Sequence, residues 1–208
     1  MTESTTQEQP RRPDFGVETF RLAVIIGSVR DNRVGTVVAD WFIRQVERRA
    51  ELDIDVIDLA EVDLPVAVGR KPAPPESPTA YTVRRRLDAA DAYVVVTPEY
   101  QHACHNSLKR LVDWHSSPWQ AKPVGFVSYG SAVGGNRAIE LLRPVFADCH
   151  AMPVPDKVVL PTMWNLLGTD TLTHRPAPFD AAAETMLDRV AWWAVTLRRG
   201  RELRPYAA

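Results

Sequence analysis

The hydrophobic and polar positions of this chain divide it into alternating strand-like and helix-like segments. Residues 22–26 form a short apolar run rich in β-branched side chains, which is typical of a strand buried on both faces of a parallel sheet. Residues 92–97 form a second such run. Residues 53–59 alternate apolar side chains with aspartates, which predicts a more polar strand at a sheet edge. Two further strands are expected at residues 122–128 and 150–160.

Apolar residues three and four positions apart follow each predicted strand and indicate five amphipathic helices. These helices are expected to begin near Val34, Thr79, Asn106, Ala138 and Ala181. The fourth helix has the most regular repeat, and its predicted core face consists of Ala138, Leu141, Leu142, Val145, Phe146 and Cys149. The last helix is expected over residues 181–199.

This alternation demands a parallel sheet with right-handed crossovers and helices on both faces. The predicted fold class is therefore α/β, a flavodoxin-like three-layer sandwich whose five-stranded parallel sheet has the order 2-1-3-4-5. We expect residues 19–200 to form this single domain, after a disordered polar lead-in at residues 1–18 and before a C-terminal tail at residues 201–208. Prolines exclude regular structure from most of residues 60–79, so we predict a long surface loop there.

Composition narrows the classes of partner. The 208 residues carry a formal net charge of −1, so no overall charge attracts nucleic acid or an anionic membrane surface. No apolar run approaches the length of a membrane span. The first 16 residues lack the apolar core of a signal peptide, and the two cysteines suit a reducing compartment. We therefore expect a cytoplasmic protein that binds neither nucleic acid nor membrane.

In a sheet of this order, ligands bind at the carboxyl ends of the strands, at the switch point between strands one and three. The loops after the first, third and fourth strands are therefore expected to converge on one site. We refer to residues 27–33 as the first loop, residues 97–105 as the second loop and residues 128–135 as the third loop.

The first loop has the composition of an anion site at the start of a helix. Gly27 is followed by neither the further glycines of the dinucleotide fingerprint nor the lysine of a Walker A motif. The loop does contain the hydroxyl of Ser28 and the guanidinium groups of Arg30 and Arg33. Together with helix amides, these groups suit a dianionic phosphate monoester. The alternative is a tight turn with exposed arginines.

The second and third loops indicate a flat pocket beside that site. In the second loop, Pro98 and the turn after it expose backbone amides and the face of Tyr100, which suits a planar heteroaromatic ring. In the third loop, Gly130, Gly134 and Gly135 permit a close approach from the other side. A phosphate cradle beside a flat pocket is what flavin mononucleotide (FMN) requires.

The second loop also carries side chains that bind metals in other proteins. His102, Cys104 and His105 lack a fourth ligand, so we expect no metal site there. We interpret His102 and His105 as candidate substrate contacts or proton donors, and the alternative is that they are surface histidines.

Taken in order, the three loops and their flanking residues resemble the NADPH-dependent FMN reductase family. The resemblance covers residues 20–161. It rests on the residues at positions 27–35, 39–41, 97–100, 108–114, 128–130, 134–135 and 152–155.

The resemblance implies roles for individual residues. The phosphate of FMN would be held by Ser28, Arg30 and Arg33. The isoalloxazine ring would be lined by Pro98, Glu99, Tyr100 and Gln101. It would be flanked by Ser128, Tyr129, Gly130 and Gly134.

The second loop departs from the family pattern. Gln101 stands where family members usually have asparagine. Ala103, His105 and Asn106 stand where a serine, a proline and a small residue commonly follow. Because glutamine makes similar amide hydrogen bonds with a longer reach, we expect FMN binding to be retained.

By this resemblance the chain is expected to be an FMN-dependent NAD(P)H oxidoreductase that needs no side-chain nucleophile. NADPH, or NADH, would pass hydride to N5 of FMN, and the acceptor would be free flavin, a quinone, or a nitro or azo compound. Family members are usually dimers or tetramers in which a neighbouring subunit helps to complete the flavin site. A homodimer or homotetramer is therefore implied, and a flavin-dependent monooxygenase is a candidate partner.

Two alternatives stay open. One is a flavodoxin-type electron carrier without NAD(P)H turnover of its own. Flavodoxins tend to be strongly acidic and to carry a threonine-rich first loop, whereas this chain is near neutral and uses arginines. The other is a specialised flavoenzyme that acts on one metabolite through its altered second loop.

Overall fold

A computed structural model provides the coordinates of the chain. The residues it describes are 18–31, 34–64, 77–130, 132–162 and 177–207. The expectations for residues 1–17, for most of the proline-rich loop and for Arg33 lie outside the described residues.

Strands and helices alternate along the described residues, as the hydrophobic pattern predicts. The strands are β1 (Phe20–Ile26), β2 (Leu52–Asp58), β3 (Ala92–Pro98), β4 (Pro123–Tyr129) and β5 (Met152–Leu160). The helices are α1 (Val34–Val46), α2 (Pro78–Ala89), α3 (Asn106–Trp114), α4 (Asn136–Asp148) and α5 (Ala177–Leu203).

The five strands form one parallel sheet in the order β2-β1-β3-β4-β5, which confirms the predicted topology. The register aligns the carboxyl ends of the central strands, because Ile26 pairs with Val96 and Pro98 pairs with Tyr129. The three loops therefore leave the sheet along the same edge. The polar strand β2 lies at one side of the sheet, as its aspartates predict.

Two apolar cores hold the three layers together, one on each face of the sheet. Helices α1 and α5 cover one face and bury side chains such as Phe42 and Val190. Helices α2, α3 and α4 cover the other face with Leu87, Leu111 and Phe146. Because every central strand is buried on both sides, these strands have continuous apolar sequences instead of alternating ones.

The core face of α4 differs from the prediction at Leu141, whose side chain is 49% exposed. Ile139, which the predicted face omits, is fully buried together with Leu142 and Phe146. Each residue advances an α-helix by about 100°, so the inclusion of Ile139 turns the buried face away from Leu141. The half-buried Cys149 packs against this core, which agrees with its interpretation as a core residue.

Helix α5 is longer than the predicted helix at residues 181–199 and includes the start of the expected tail. It continues through Gly200, and two arginines near this glycine contact one carboxylate. Arg198 Nη1 lies 3.2 Å and Arg201 Nη2 lies 3.4 Å from the carboxylate of Asp91. These contacts fix the helix end against the sheet. Neither α5 nor any other described helix is both long and apolar enough to cross a membrane.

His115, which follows α3, is a buried imidazole that gives the fold a sensitivity to acid. It is 1% exposed, and its Nε2 atom makes no hydrogen bond within the described part of the chain. Burial, and then the positive charge of Arg84, lower the pKa of His115 from 6.5 to about 4. The folded protein therefore holds this side chain in its neutral form.

We predict that His115 makes the fold less stable below about pH 6.5. In that range the unfolded chain binds a proton that the folded chain rejects until the pH approaches 4. Between pH 7.5 and pH 5, the resulting loss is about 2 kcal/mol of unfolding free energy. Urea unfolding at the two pH values should show this loss in the native protein and a correspondingly smaller loss in His115→Phe. Equal losses in both proteins would contradict the prediction.

Candidate functional site

The three loops converge at the carboxyl edge of the sheet, as the strand order predicts. The backbone N–H of Glu99 donates to the carbonyl oxygen of Tyr129 at 3.0 Å and joins the second loop to the third. The hydroxyl groups of Ser28 and Tyr100 lie 3.4 Å apart and join the first loop to the second. The structure thus brings together the predicted site residues of all three loops that it describes.

The first loop is held on both sides by neighbouring elements. The N–H of Gly27 donates to the carbonyl of Val96 at 2.9 Å, and the carbonyl of Gly27 accepts a 2.5 Å hydrogen bond from Ser107 Oγ. Ser28 is fully buried, whereas Arg30 is exposed. The loop therefore has a fixed base and a charged side chain at the surface.

Gly35 in the first turn of α1 has a structural reason to be glycine. A Cβ atom at this position would lie 2.6 Å from Tyr129 Oη and 2.9 Å from Ser28 Cβ. Any side chain would therefore push the helix away from the first and third loops. The absence of a side chain lets the amino end of α1 approach Ser28.

Arg30 lies over the ring of Tyr100. The distance from Arg30 Cζ to the ring centroid is 3.7 Å, which is a close cation–π contact. Among the described residues, no carboxylate lies within ion-pair distance of Arg30. The guanidinium therefore keeps its positive charge uncompensated at the mouth of the first loop.

The second loop contains a tight turn whose tip adopts a left-handed conformation. Tyr100 and Ala103 exchange hydrogen bonds of 3.0 and 2.9 Å, and Gln101 and His102 between them have φ angles of 49° and 64°. Positive φ at both central residues is the geometry of a type I′ turn, which favours asparagine and glycine. The residue at position 101 must therefore adopt a positive φ angle, in addition to supplying a side-chain amide.

Glu99 points its carboxylate towards α4. Its side chain is 6% exposed, and Oε2 accepts a 3.2 Å hydrogen bond from the backbone N–H of Arg137. The Arg137 guanidinium lies 3.4 Å from Glu99 Oε1 and 2.5 Å from His102 Nδ1. Glu99 therefore ties the second loop to the first turn of α4. Sequence reasoning missed Arg137, and the available signal was its position just after Gly135 at a helix start.

The third loop is tightly folded against β5. Ser128 Oγ donates to the carbonyl of Gly134 at 2.9 Å. Gly134 and Gly135 have φ angles of +63° and +88°, and a Cβ atom on Gly134 would lie 2.4 Å from Val159 Cγ1. Both glycines are therefore required by backbone conformation. This packing fixes the position of the third loop at the carboxyl edge of the sheet, next to the second loop.

His105 is the N-cap of α3 and is held close to the first loop. Its Nδ1 accepts a 3.2 Å hydrogen bond from the N–H of Ser107, and its ring meets the edge of Tyr100 at 5.9 Å. Burial, and then the charges of Arg30 and Arg110, lower the pKa of His105. Nδ1 of His105 also lies 2.9 Å from Ser107 Oγ, so both the backbone and the side chain of Ser107 hold the ring in place. His102, by contrast, is exposed and contacts Arg137.

The described residues contain no group of three or more histidine, cysteine or acidic side chains arranged to hold a metal ion. In the second loop, burial raises the pKa of the Cys104 thiol, which disfavours its metal-binding thiolate form.

A separate cavity of about 150 Å³ adjoins the first loop on the β2 side. Its lining includes residues of the first and second loops but none of the third-loop residues that the structure describes. Its lining consists of Val29, Leu59, Ala60, Val62, Leu64, His105, Ser107 and Arg110. The junction of the three loops has close backbone approaches and a cation, Arg30, that no carboxylate of the described residues pairs, so it is the candidate site, and the cavity is its neighbour.

Known proteins resemble this chain along most of its length. A family model described as NADPH-dependent FMN reductase matches residues 20–165. An NAD(P)H-dependent FMN reductase of Nectria sp is 34% identical over 151 residues, which are 68% of this chain and 75% of the relative. A quinone reductase of Pseudomonas putida is 27% identical over 186 residues, which are 85% and 95% of the two chains. The solved flavoenzyme NAD(P)H:acceptor oxidoreductase of Paracoccus denitrificans has the same fold, with a TM-score of 0.60 and 18% identity over 87% of this chain and 98% of that one.

The left-handed turn at Gln101 leads to a stability prediction. Replacement of Gln101 by asparagine should raise the unfolding free energy by about 0.5–1 kcal/mol, because asparagine tolerates positive φ better than glutamine does. Urea unfolding of the ligand-free protein measures the change. Gln101→Ala is the control, since it shortens the side chain without relieving the backbone. A gain from alanine as large as that from asparagine would show that backbone conformation is not the cause.

Proposed function

The chain belongs to the NADPH-dependent FMN reductase family, and on this basis we propose that it binds FMN where the three loops meet. There it transfers hydride from NAD(P)H to a small acceptor. The matched residues 20–165 include all five strands and all three loops. The acceptor class we propose is free flavin, a quinone, or a nitro or azo compound. The similarity to a quinone reductase favours the quinone.

The observation that carries this proposal is the guanidinium of Arg30, which no described carboxylate pairs, near the buried Ser28 of the same loop. A phosphate monoester has two negative charges and several acceptor oxygens, so it matches this donor set. The amino end of α1, brought close by Gly35, adds backbone N–H groups of the same polarity. We propose that Ser28, Arg30 and Arg33 hold the phosphate.

The flavin ring would lie between the second and third loops. The backbone N–H groups of Glu99 and Tyr100 are used inside the protein, by Tyr129 and Ala103. No described residue accepts from the N–H groups of Gln101 and His102 at the tip of the turn. We assign these two amides to the polar edge of the ring. Residues that flank the ring are Pro98, Glu99, Tyr100, Gln101, Ser128, Tyr129, Gly130 and Gly134.

FMN, when bound, supplies the hydride transfer chemistry. The chain's own residues orient the ring, hold its phosphate end and place N–H donors where negative charge develops. His105 lies at the edge of the Tyr100 ring, and burial lowers its pKa and so favours the neutral imidazole, so we propose it as a substrate contact. His102 is proposed as a second contact at the exposed rim.

The finer features follow the same proposal. We propose NADPH, or NADH, as the reductant and a homodimer or homotetramer as the assembly. The exposed apolar side chains of Val133 in the third loop and Leu141 on α4 support a neighbouring subunit beside the site. A flavin-dependent monooxygenase is the proposed recipient when the acceptor is free flavin. The free thiols of Cys104 and Cys149 suit a cytoplasmic location.

An anaerobic reduction experiment tests the activity. NADPH added to the FMN-loaded protein should bleach the absorbance of the oxidised flavin rapidly, and a quinone added afterwards should restore it. NADH in a parallel sample measures the preference between the two reductants. A flavin that stays oxidised until a partner protein is added would contradict the proposed reductase activity. It would favour the alternative function of an electron carrier.

A second test concerns the phosphate site. Ser28→Ala combined with Arg30→Ala should weaken FMN binding at least about tenfold, because each removed group makes a hydrogen bond to a charged ligand. Fluorescence titration of the ligand-free protein measures the affinity, and thermal unfolding checks the fold. Arg85→Ala, which removes an exposed arginine from α2, is the matched control. Unchanged affinity in the double variant would mean that the first loop is only a turn.

A further inference from the structure

We propose that Tyr100 is a positioning residue for the phosphate of FMN, because its ring holds the Arg30 guanidinium in place. The ring would then serve the phosphate end of the cofactor and not act as a stacking partner of the isoalloxazine. This inference rests on the proposed function. It adds a role that neither the family similarity nor the loop composition gives to Tyr100.

The contacts of the Tyr100 side chain point towards the first loop. Its ring face is covered by Arg30, at 3.7 Å from Cζ to the centroid. Its hydroxyl lies 3.4 Å from Ser28 Oγ. The ring also meets His105 edge-on, with an angle of 81° between the two planes. One face of the ring is therefore occupied by the cation that is proposed to bind the phosphate.

A guanidinium that packs against an aromatic ring still has N–H groups available for other partners. All five N–H groups of arginine lie in the guanidinium plane, so a contact on one face does not consume them. Arg30 can therefore contact Tyr100 and donate to phosphate oxygens at the same time. The ring also restricts the rotamers of a long exposed side chain, which lowers the entropy lost when the phosphate binds.

Tyr100 is rigid enough to serve as such a platform. Its backbone exchanges two hydrogen bonds with Ala103 across the type I′ turn. The preceding residue, Glu99, is fixed to Tyr129 by its N–H and to α4 by its carboxylate. The contacts of the second loop with β4 and α4 thus fix the position of Tyr100, the residue whose side chain contacts Arg30.

The two possible roles of Tyr100 differ in ligand specificity. A platform for Arg30 contributes only to a ligand that carries the phosphate, which FMN has and riboflavin lacks. A stacking partner of the isoalloxazine contributes equally to both ligands, because their rings are identical. The ratio of the two affinities therefore separates the two roles.

The experiment titrates the ligand-free full chain with FMN and with riboflavin, using flavin fluorescence. Tyr100→Leu should weaken FMN binding about fivefold to twentyfold and change riboflavin binding less than about twofold. Tyr100→Phe keeps the ring and should stay within about threefold of the native protein for both ligands. Tyr100→Met replaces the leucine variant if thermal unfolding shows that the leucine variant does not fold.

A double-mutant cycle completes the test. In an Arg30→Ala background, Tyr100→Leu should cause no further loss of FMN affinity, because the platform then has nothing to hold. Additive losses would overturn the proposal, and so would an equal loss of FMN and riboflavin in Tyr100→Leu. If the native protein binds the two ligands equally well, the phosphate site of the proposed function fails as well. If the native protein prefers FMN and Tyr100→Leu keeps that preference, the positioning role of Tyr100 is wrong, whereas the phosphate site of the proposed function stands.

Discussion

The parallel register of β1, β3 and β4 is the constraint on which the candidate site depends. It sets the ends of three strands side by side, so that Ile26, Val96 and Val127 lie in one row across the sheet. The strand ends therefore fix where the three loops begin, and the loops must meet close to these ends. Each then has to pack its backbone against its neighbours, and this explains why glycine stands at position 35 and why Gly134 and Gly135 adopt positive φ. The site is therefore a consequence of the sheet's alignment before any side chain contributes chemistry.

The fold could be predicted from the sequence because its signals are local and repeated. Continuous apolar runs identify buried parallel strands, helical periodicity identifies their crossovers, and the alternation leaves few topologies. The error at Leu141 has a simple origin, since a helix face inferred from regular spacing alone can be rotated by one further buried residue, here Ile139. The end of α5 was missed for a different reason. It depends on contacts between Arg198, Arg201 and Asp91, which are far apart in sequence.

The site could be predicted only at the level of loops and residue types. Gly27, Ser28 and Arg30 carry a local signal, because a strand, a hydroxyl and a cation precede a helix. The contact of Arg30 with Tyr100 joins residues 70 positions apart and has no sequence pattern of its own. The same holds for Glu99 and Arg137, whose pairing directs an acidic side chain towards α4. Pairings of this kind follow from tertiary packing, which one sequence does not reveal.

The charges around the site are separated in a way that favours a doubly negative ligand. Glu99 is an acidic residue of the second loop. Its carboxylate pairs with the Arg137 guanidinium and accepts a hydrogen bond from a backbone N–H at the amino end of α4. His105 stays neutral because burial and two nearby arginines disfavour its protonation. Arg30 is left with an aromatic ring as its partner, and a ring holds a guanidinium without neutralising it. A carboxylate in the place of Tyr100 would position the same guanidinium equally well, but it would cancel the charge that attracts a phosphate. An aromatic residue beside Arg30 therefore meets two requirements at once, since it restricts the side chain and preserves its charge.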